Sequence, residues 1–444
     1  MNNGTIDEVF GWEALDSRGN PTVACTVTLS TGATGTALTP AGASTGTHEA
    51  HELRDHETRF GGQGVSKALA YLRDELAPSV RGLRAGDQRT VDNALRATDG
   101  SVSLSRVGAN TVLALSLAVR LAAASDAGIP LWLHALGDHD AAGTVELPMP
   151  MINIISGGAH AGKAIDIQDV LVIPIGAESF PEAIEWVDRV RRATAKELTR
   201  RGLPTSLVAD EGGYGPALST NQTALEIVTA AIEHADLSPG EDVGIALDIA
   251  ATQFYDRSTN RYVLRAEDRR LSADEWVAEL EGWAKRYPLV SVEDPMAEDD
   301  WDGWQAISSV LNDSVQLIGD DLFTTNADRL RRGAEMGVAN AILVKPNQIG
   351  TVSQALDVVE QARNAGYATV LSARSGETED CWLSDLAVGW RTGQIKVGSL
   401  ARSERTAKWN RLLRLHAELG PRAGLARPWQ IDSAPASLRT GPAE

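Results

Sequence analysis

The chain has 444 residues, 43% of them hydrophobic and 23% charged, so it can bury a substantial core and does not have the composition of a disordered chain. That length exceeds one ordinary domain and suits a barrel of roughly 250 residues with a smaller partner. With 41 basic and 60 acidic residues the net charge is −19, which argues against a phosphate backbone as the main ligand but leaves room for a local cationic pocket.

In chain order, the start (MNNGTIDEVF) lacks a basic segment leading into an apolar one and is not expected to be a secretory signal. Residues 22–38 alternate, with Val23, Cys25, Val27 and Leu29 on one face and Thr22, Ala24, Thr26 and Thr28 on the other. Ser30-Thr31-Gly32 follows, then a second extended stretch ending at Pro40, and together they predict a hairpin. Residues 65–135 read as helical, with Leu113, Leu117 and Leu121 at i, i+4 and i+8. The most apolar stretch, Val107 to Val119, is interrupted by Asn110 and stops at Arg120, too short to span a bilayer. A hairpin followed by helices is an α+β unit, expected over residues 1–140, with Gly137–Gly143 as linker. Two cysteines, Cys25 and Cys381, are too few for a disulfide framework or a zinc knuckle. A soluble, cytoplasmic protein is expected.

From residue 141 the rhythm changes. Eight short apolar runs end in polar residues: LPMPMINII, QDVLVIPI, VGIALD, LVSVED, VQLIGDD, AILVKPN, ATVLSARS and QIKVGS. Most are followed by an amphipathic segment with helix signals. Ser272 and Glu275 form a capping-box pattern before Trp276, Leu280 and Trp283, and Thr351 and Gln354 form another, with Gly366 placed to close that helix. Continuous apolar strands alternating with helices indicate a parallel sheet covered on both faces, and eight of them suggest a closed barrel. Only SGGAHAGKAID separates the first two runs, too short for a helical crossover, so these strands should pair antiparallel. Helical stretches near 180–201 and 221–235 precede the third strand. The expected order is a modified (β/α)8 TIM barrel, ββαα(βα)6, over residues 141–444. The segment Pro421–Glu444 reads as a weakly ordered tail without a catalytic role.

Barrel enzymes build their sites at the C-terminal ends of strands. Here those ends carry Asp248, Glu293, Asp320, Lys345, Arg374 with Ser375, and Lys396. One aspartate after an apolar run is an ordinary helix cap; six ionisable groups on consecutive strands are not explained that way. Three converging carboxylates repel one another unless a cation lies between them, and an all-oxygen set suits magnesium better than zinc. The lysines and arginine supply an anion-binding side, so the pattern fits a small phosphorylated carboxylic acid. Lys345 has two readings, a passive partner for a carboxylate or a general base kept neutral by neighbouring positive charge.

The sequence resembles the enolase (phosphopyruvate hydratase) family over nearly its whole length. The motifs that carry the resemblance include LDSRGNPTV (15–23), GASTGTHEA (42–50), ELRD (52–55), SGGAHAG (156–162), ADEGGYGP (209–216), ALDIAATQFYD (246–256), SVEDPMAEDDWDGW (291–304), GDDLFTTN (319–326), KPNQIGT (345–351), RSGETED (374–380) and GQIKVGS (393–399). The resemblance implies an enolase fold and magnesium-dependent dehydration of 2-phospho-D-glycerate to phosphoenolpyruvate. By the same resemblance Asp248, Glu293 and Asp320 are primary magnesium ligands, and Ser44 in a mobile lid helps hold a second magnesium when substrate is bound. Lys345 is the base at C2, and Glu211 is the acid that assists departure of the C3 hydroxyl. Arg374 and Ser375 contact phosphate; Lys396 contacts the carboxylate; Ser372 and Gln168 are further substrate-binding positions, and His160 and Asp169 stand at catalytic positions. A homodimer or higher oligomer is implied.

Several positions depart from the family. Ala373 stands where it has histidine, Asp169 where it has glutamate, Ala41 where it has serine, and Pro346 where it has valine. The first two fall in the acid half of the site: alanine leaves space, and the shorter carboxylate should retreat from the substrate. Three readings follow: an enolase, a carboxyphosphonoenolpyruvate synthase-like paralogue of phosphonate secondary metabolism acting on a bulkier substrate, and a non-catalytic binding protein on the same scaffold. The intact metal and lysine positions argue against the third.

Overall fold

The computed structural model describes residues 4–43, 45–137 and 142–428. The first part opens with a three-stranded antiparallel sheet of β1 (Ile6–Leu15), β2 (Pro21–Leu29) and β3 (Thr34–Leu38). The expected hairpin is β2–β3, with Cys25 opposite Ala37 and Val27 opposite Gly35. Val23, Cys25, Val27 and Leu29 are buried as their alternation required. Helices follow: α1 (Ser66–Tyr71) runs through a π-helical turn into α2 (Ala77–Val80), then α3 (Gln88–Asp99), α4 (Ala109–Ala127) and α5 (Leu131–Leu136). α4 is apolar all round and is buried along most of its length, which is what such a helix requires. The expected linker falls largely on residues 138–141, outside the described residues.

After β4 (Val145–Leu147), the eight apolar runs form β5 (Met149–Ser156), β6 (Asp169–Ile173), β7 (Gly244–Asp248), and five more strands. Between β6 and β7 lie α6 (Phe180–Arg200) and α7 (Asn221–Glu233). A small outlying sheet, β8 (Tyr255–Asp256), β9 (Arg261–Leu264) and β10 (Arg269–Leu271), precedes α8 (Ala273–Arg286). Next come β11 (Leu289–Glu293), α9 (Trp301–Leu311), β12 (Gln316–Gly319), α10 (Ala327–Met336), β13 (Ala341–Val344), α11 (Pro346–Ile349), α12 (Val352–Asn364), β14 (Ala368–Ser372), α13 (Trp382–Gly389), β15 (Gly393–Gly398) and α14 (Ser403–Leu419). The barrel closes in the order β11-β12-β13-β14-β15-β5-β6-β7. It is therefore the expected ββαα(βα)6 barrel behind an α+β unit.

Within it β6 alone runs against its neighbours, pairing antiparallel with both β5 and β7. Its register sets Asp169 opposite Ser156 and Asp248. The start of β6 thus lies at the mouth where the other strands end.

Local signals explain the helices. Ser272 and Glu275 make the full capping box, and Trp276, Leu280 and Trp283 of α8 are buried. Thr351 caps α12 through the Gln354 amide, but the Gln354 side chain bonds the Thr351 hydroxyl instead of its backbone, so only half of that box forms. Gly366, at φ 78°, follows the end of α12.

The tail expectation needs correction. Residues 423–425 form β16 (Ala423–Leu425), which pairs parallel with β4, and Arg427 donates to the carbonyls of Ile175 and Ala177. Backbone pairing with a distant strand orders this stretch, while residues 429–444 lie outside the described residues. Among the described residues, no helix is long and apolar enough to cross a membrane.

Candidate active site

The strand ends meet in a narrow cleft whose lining includes His160, Gln168, Glu211, Asp248, Asp320, Lys345, Ser372, Ala373, Arg374, Ser375 and Lys396. Three expected site residues are not on that lining. Glu293 lies just behind it and Asp169 is fully buried. Ser44 lies outside the described residues.

On one side, Lys396 Nζ donates to Asp248 Oδ2 and to Glu293 Oε2, both at 2.7 Å. Lys345 Nζ is paired with Asp320 Oδ2, and Asp320 Oδ1 accepts from Gln348 Nε2 at 2.9 Å. Burial favours the neutral amines, but Asp320 outweighs it at Lys345, and Asp248 and Glu293 outweigh it at Lys396, so both lysines are held as ammonium ions in this arrangement. Three carboxylates against two lysines leave an excess negative charge. Burial, then Asp248, pushes the Glu293 carboxyl well above the usual range, and its Oε1 is buried without a hydrogen-bond partner. An orphaned buried carboxylate oxygen in an all-oxygen set fits a hard divalent cation. Asp248, Glu293 and Asp320 are the residues that would hold it.

Two tighter groups also occur among the described residues, each with ligand atoms within 4.8 Å of one another: Asp294, Asp320 and Asp321, and His160, Asp169 and Glu211. The three expected ligands are spread more widely than these. The first group has a structural cause, since the Asp294 carboxylate accepts the backbone N–H groups of Asp320 at 3.0 Å and Asp321 at 2.6 Å. Asp294 thereby fixes the turn that carries Asp320.

On the anion side, Arg374 is buried and forked onto Glu49, at 3.0 and 3.3 Å. Ser375 Oγ accepts from Ala43 N at 2.6 Å, and Ser372 Oγ donates to the Ala373 carbonyl. The loop 374–376 is held from behind by Arg405 of α14. Its Nη1 donates to the carbonyls of Arg374 at 2.6 Å and Val397 at 2.9 Å, and its Nη2 to that of Ser375. In front, Ala41 and Gly376 exchange backbone hydrogen bonds at 2.8 and 2.9 Å, bringing the 41–43 segment to the mouth. A Cβ on Gly376 would stand 2.6 Å from the Ala41 carbonyl, so only glycine permits this approach.

On the third side, His160 Nδ1 lies 2.7 Å from Asp169 Oδ2, and its Nε2 lies 3.9 Å from Glu211 Oε1. Asn153 Nδ2 donates to the other Asp169 oxygen. Burial opposes protonation of His160, but Asp169 and Glu211 outweigh it and push its pKa up to about 9. Burial raises Glu211, yet His160, Arg405 and Lys396 prevail and hold it below the usual range. Glu211 is aimed by Gly212, which takes φ +86°; a Cβ there would meet the Ala401 carbonyl oxygen at 2.5 Å. Gln168 Nε2 bonds Asp248 Oδ2 at 3.0 Å, linking this side to the first.

Sequence reasoning did not single out Glu49, Asn153, Asp294, Gln348 or Arg405. Glu49, Asp294 and Gln348 lie inside motifs already quoted, and only their partners in space give them a role.

A family model described as Enolase, C-terminal TIM barrel domain, matches residues 144–428, and one described as Enolase, N-terminal domain, matches residues 6–135.

Proposed function

The chain belongs to the enolase family and is an enzyme of the enolase superfamily; from that premise we propose that it is a magnesium-dependent hydro-lyase, reversibly dehydrating 2-phospho-D-glycerate or a close analogue to phosphoenolpyruvate. The observation that carries this reading is one cleft with buried carboxylates on one wall and Lys345, Lys396 and Arg374 turned toward the same space.

In this reading Arg374 and Ser375 hold the phosphate, Ser372 lines the substrate space, and Lys396 faces the carboxylate. A cation on the Asp320 carboxylate would remove the partner that holds Lys345 as an ammonium ion; as the neutral amine, Lys345 Nζ takes the proton from C2, and Glu211 stands on the side from which the C3 hydroxyl leaves. The electron pair released at C2 becomes the C2–C3 double bond as water departs. Magnesium, two ions when substrate is bound, supplies positive charge that makes a carbanion beside a carboxylate accessible. Asp248, Glu293 and Asp320 would hold the first, and Ser44 would contribute to the second. The α+β unit over residues 1–140 caps the barrel over residues 141–444. Cytoplasmic residence and a homodimer or higher oligomer belong to the same proposal.

Ala373 favours a second reading, a phosphono acid bulkier than phosphoglycerate, because alanine leaves room at the cleft wall. The test is absorbance-monitored formation of phosphoenolpyruvate from 2-phosphoglycerate and magnesium, run beside the Ala373→His, Asp169→Glu double variant. Turnover by the unmodified chain at the double variant's rate or better supports the first reading. No turnover, with solvent exchange of the C2 hydrogen retained, overturns it in favour of the second.

A further inference from the structure

The acid half of the cleft is built around a histidine instead of an exposed second carboxylate. Asp169 has no exposed surface, and its two oxygens are taken by Asn153 Nδ2 and His160 Nδ1. With Nδ1 fixed, the imidazole presents Nε2 to the cleft, beside Glu211 and next to the space left by Ala373. We propose that His160 donates the proton to the departing hydroxyl, and that Asp169, anchored by Asn153, is a positioning residue that sets the tautomer and angle of that ring.

This rests on the enolase-type reading and names the proton donor within it. The C2–H proton passes to Lys345 Nζ, and the C2 electron pair forms the double bond. The C3–O pair leaves with oxygen, which takes the Nε2 proton; water departs and His160 is left neutral. The charged groups facing His160 are Asp169 at the start of β6, Glu211 in the DEGG turn and Asp248 at the end of β7, and their combined charge favours its imidazolium. Glu211, flanked by His160, Arg405 and Lys396, is held as a carboxylate, suited to orienting the hydroxyl more than to supplying the proton.

The test follows two rates with 2-phosphoglycerate and magnesium on the full chain: exchange of the C2 hydrogen into deuterium oxide, and enol formation. His160→Gln should lower enol formation by about 100-fold or more while exchange stays within about threefold. Asp169→Asn should lower kcat with little change in KM. In nitrogen-15 histidine-labelled wild type, one of the eight histidines should remain doubly protonated at pH 8, and Asp169→Asn should return it to the ordinary range. That spectrum needs no variant, so a folding defect in His160→Gln does not decide the matter. Near-normal enol formation by His160→Gln, or no doubly protonated histidine at pH 8, overturns the proposal alone. A wild type that neither exchanges nor forms enol overturns the enolase-type reading, and the proposal falls with it.

Discussion

Replacing Arg405 by methionine tests whether the loop carrying Arg374 and Ser375, the proposed anion side of the site, is held from behind. The guanidinium is fully buried, and its three short bonds serve the carbonyls of Arg374, Val397 and Ser375, with a longer one of 3.4 Å to Asp210. Each buried carbonyl left without a donor costs about 1–3 kcal/mol, so three cost roughly 3–9 kcal/mol. Methionine fills much of the volume and removes the cost of burying a charge, which offsets several kcal/mol. The net expectation is a loss of about 3–5 kcal/mol. At roughly 2 °C per kcal/mol for a unit of this size, the melting temperature should fall by about 6–10 °C. Affinity for inorganic phosphate, measured calorimetrically, should fall by about tenfold, because Arg374 and Ser375 sit on the freed loop. Arg405→Lys keeps the charge but not the planar fork, so it should recover less than half of the loss. A drop below about 2 °C, or full recovery by lysine, would refute the argument that the fork geometry holds this loop.

Three further outcomes are expected. Gly212→Ala combines a left-handed backbone with a contact of 2.5 Å to a carbonyl oxygen, and should cost about 2–4 kcal/mol and most of the turnover; Gly100→Ala, at φ +76° with an ordinary contact of 3.9 Å to the Ala97 carbonyl oxygen, should cost only about 1–2 kcal/mol in the same melting assay. Burial, then Arg120, lowers the His134 pKa to about 4. Below about pH 6.5 the unfolded chain binds a proton that the native chain refuses, so stability falls from there down to about pH 4 and the unfolded state gains. His134 is partly exposed, so screening discounts the effect to about 1–2 kcal/mol, and His134→Gln should lose less stability than wild type between pH 7 and pH 4.5 in urea titrations. Lys396→Met leaves Asp248 and Glu293 without their shared counter-charge; melting should drop by several degrees without magnesium and recover more on magnesium addition than wild type does, and equal magnesium responses would count against the assigned cation site.

The eight barrel strands and their polar ends were legible because a strand covered on both faces must be apolar throughout, and its last residue need not be. The antiparallel β5–β6 pair followed from a connection too short to hold a helix. β1 was not legible: Phe10 and Leu15 are more than half exposed, and charged residues interrupt its alternation. The minor sheet of β8, β9 and β10 has strands of two to four residues, shorter than any periodic signal. β16 was missed because its order comes from a strand more than two hundred residues away. In the site, residues at strand ends announced themselves by position. Their partners did not: Glu49 meets Arg374 across 325 residues, and the Asp294 carboxylate serves backbone groups that no residue pattern reports.

The reversed strand has a consequence for how such a catalyst can change. Because β6 starts at the mouth, Asn153, His160, Asp169 and Glu211 all fall within one continuous stretch of chain, whereas Asp248, Glu293, Asp320 and Lys345 come from later strands. In the proposed reading most of the groups on the leaving-group side therefore precede those on the proton-abstraction side, with position 373 the exception. A single crossover between residues 211 and 248, in nature or in a chimaera, would exchange most of the leaving-group side, with position 373 left to vary separately. Altered departure chemistry on an unaltered proton-abstraction scaffold is the kind of novelty this architecture makes accessible.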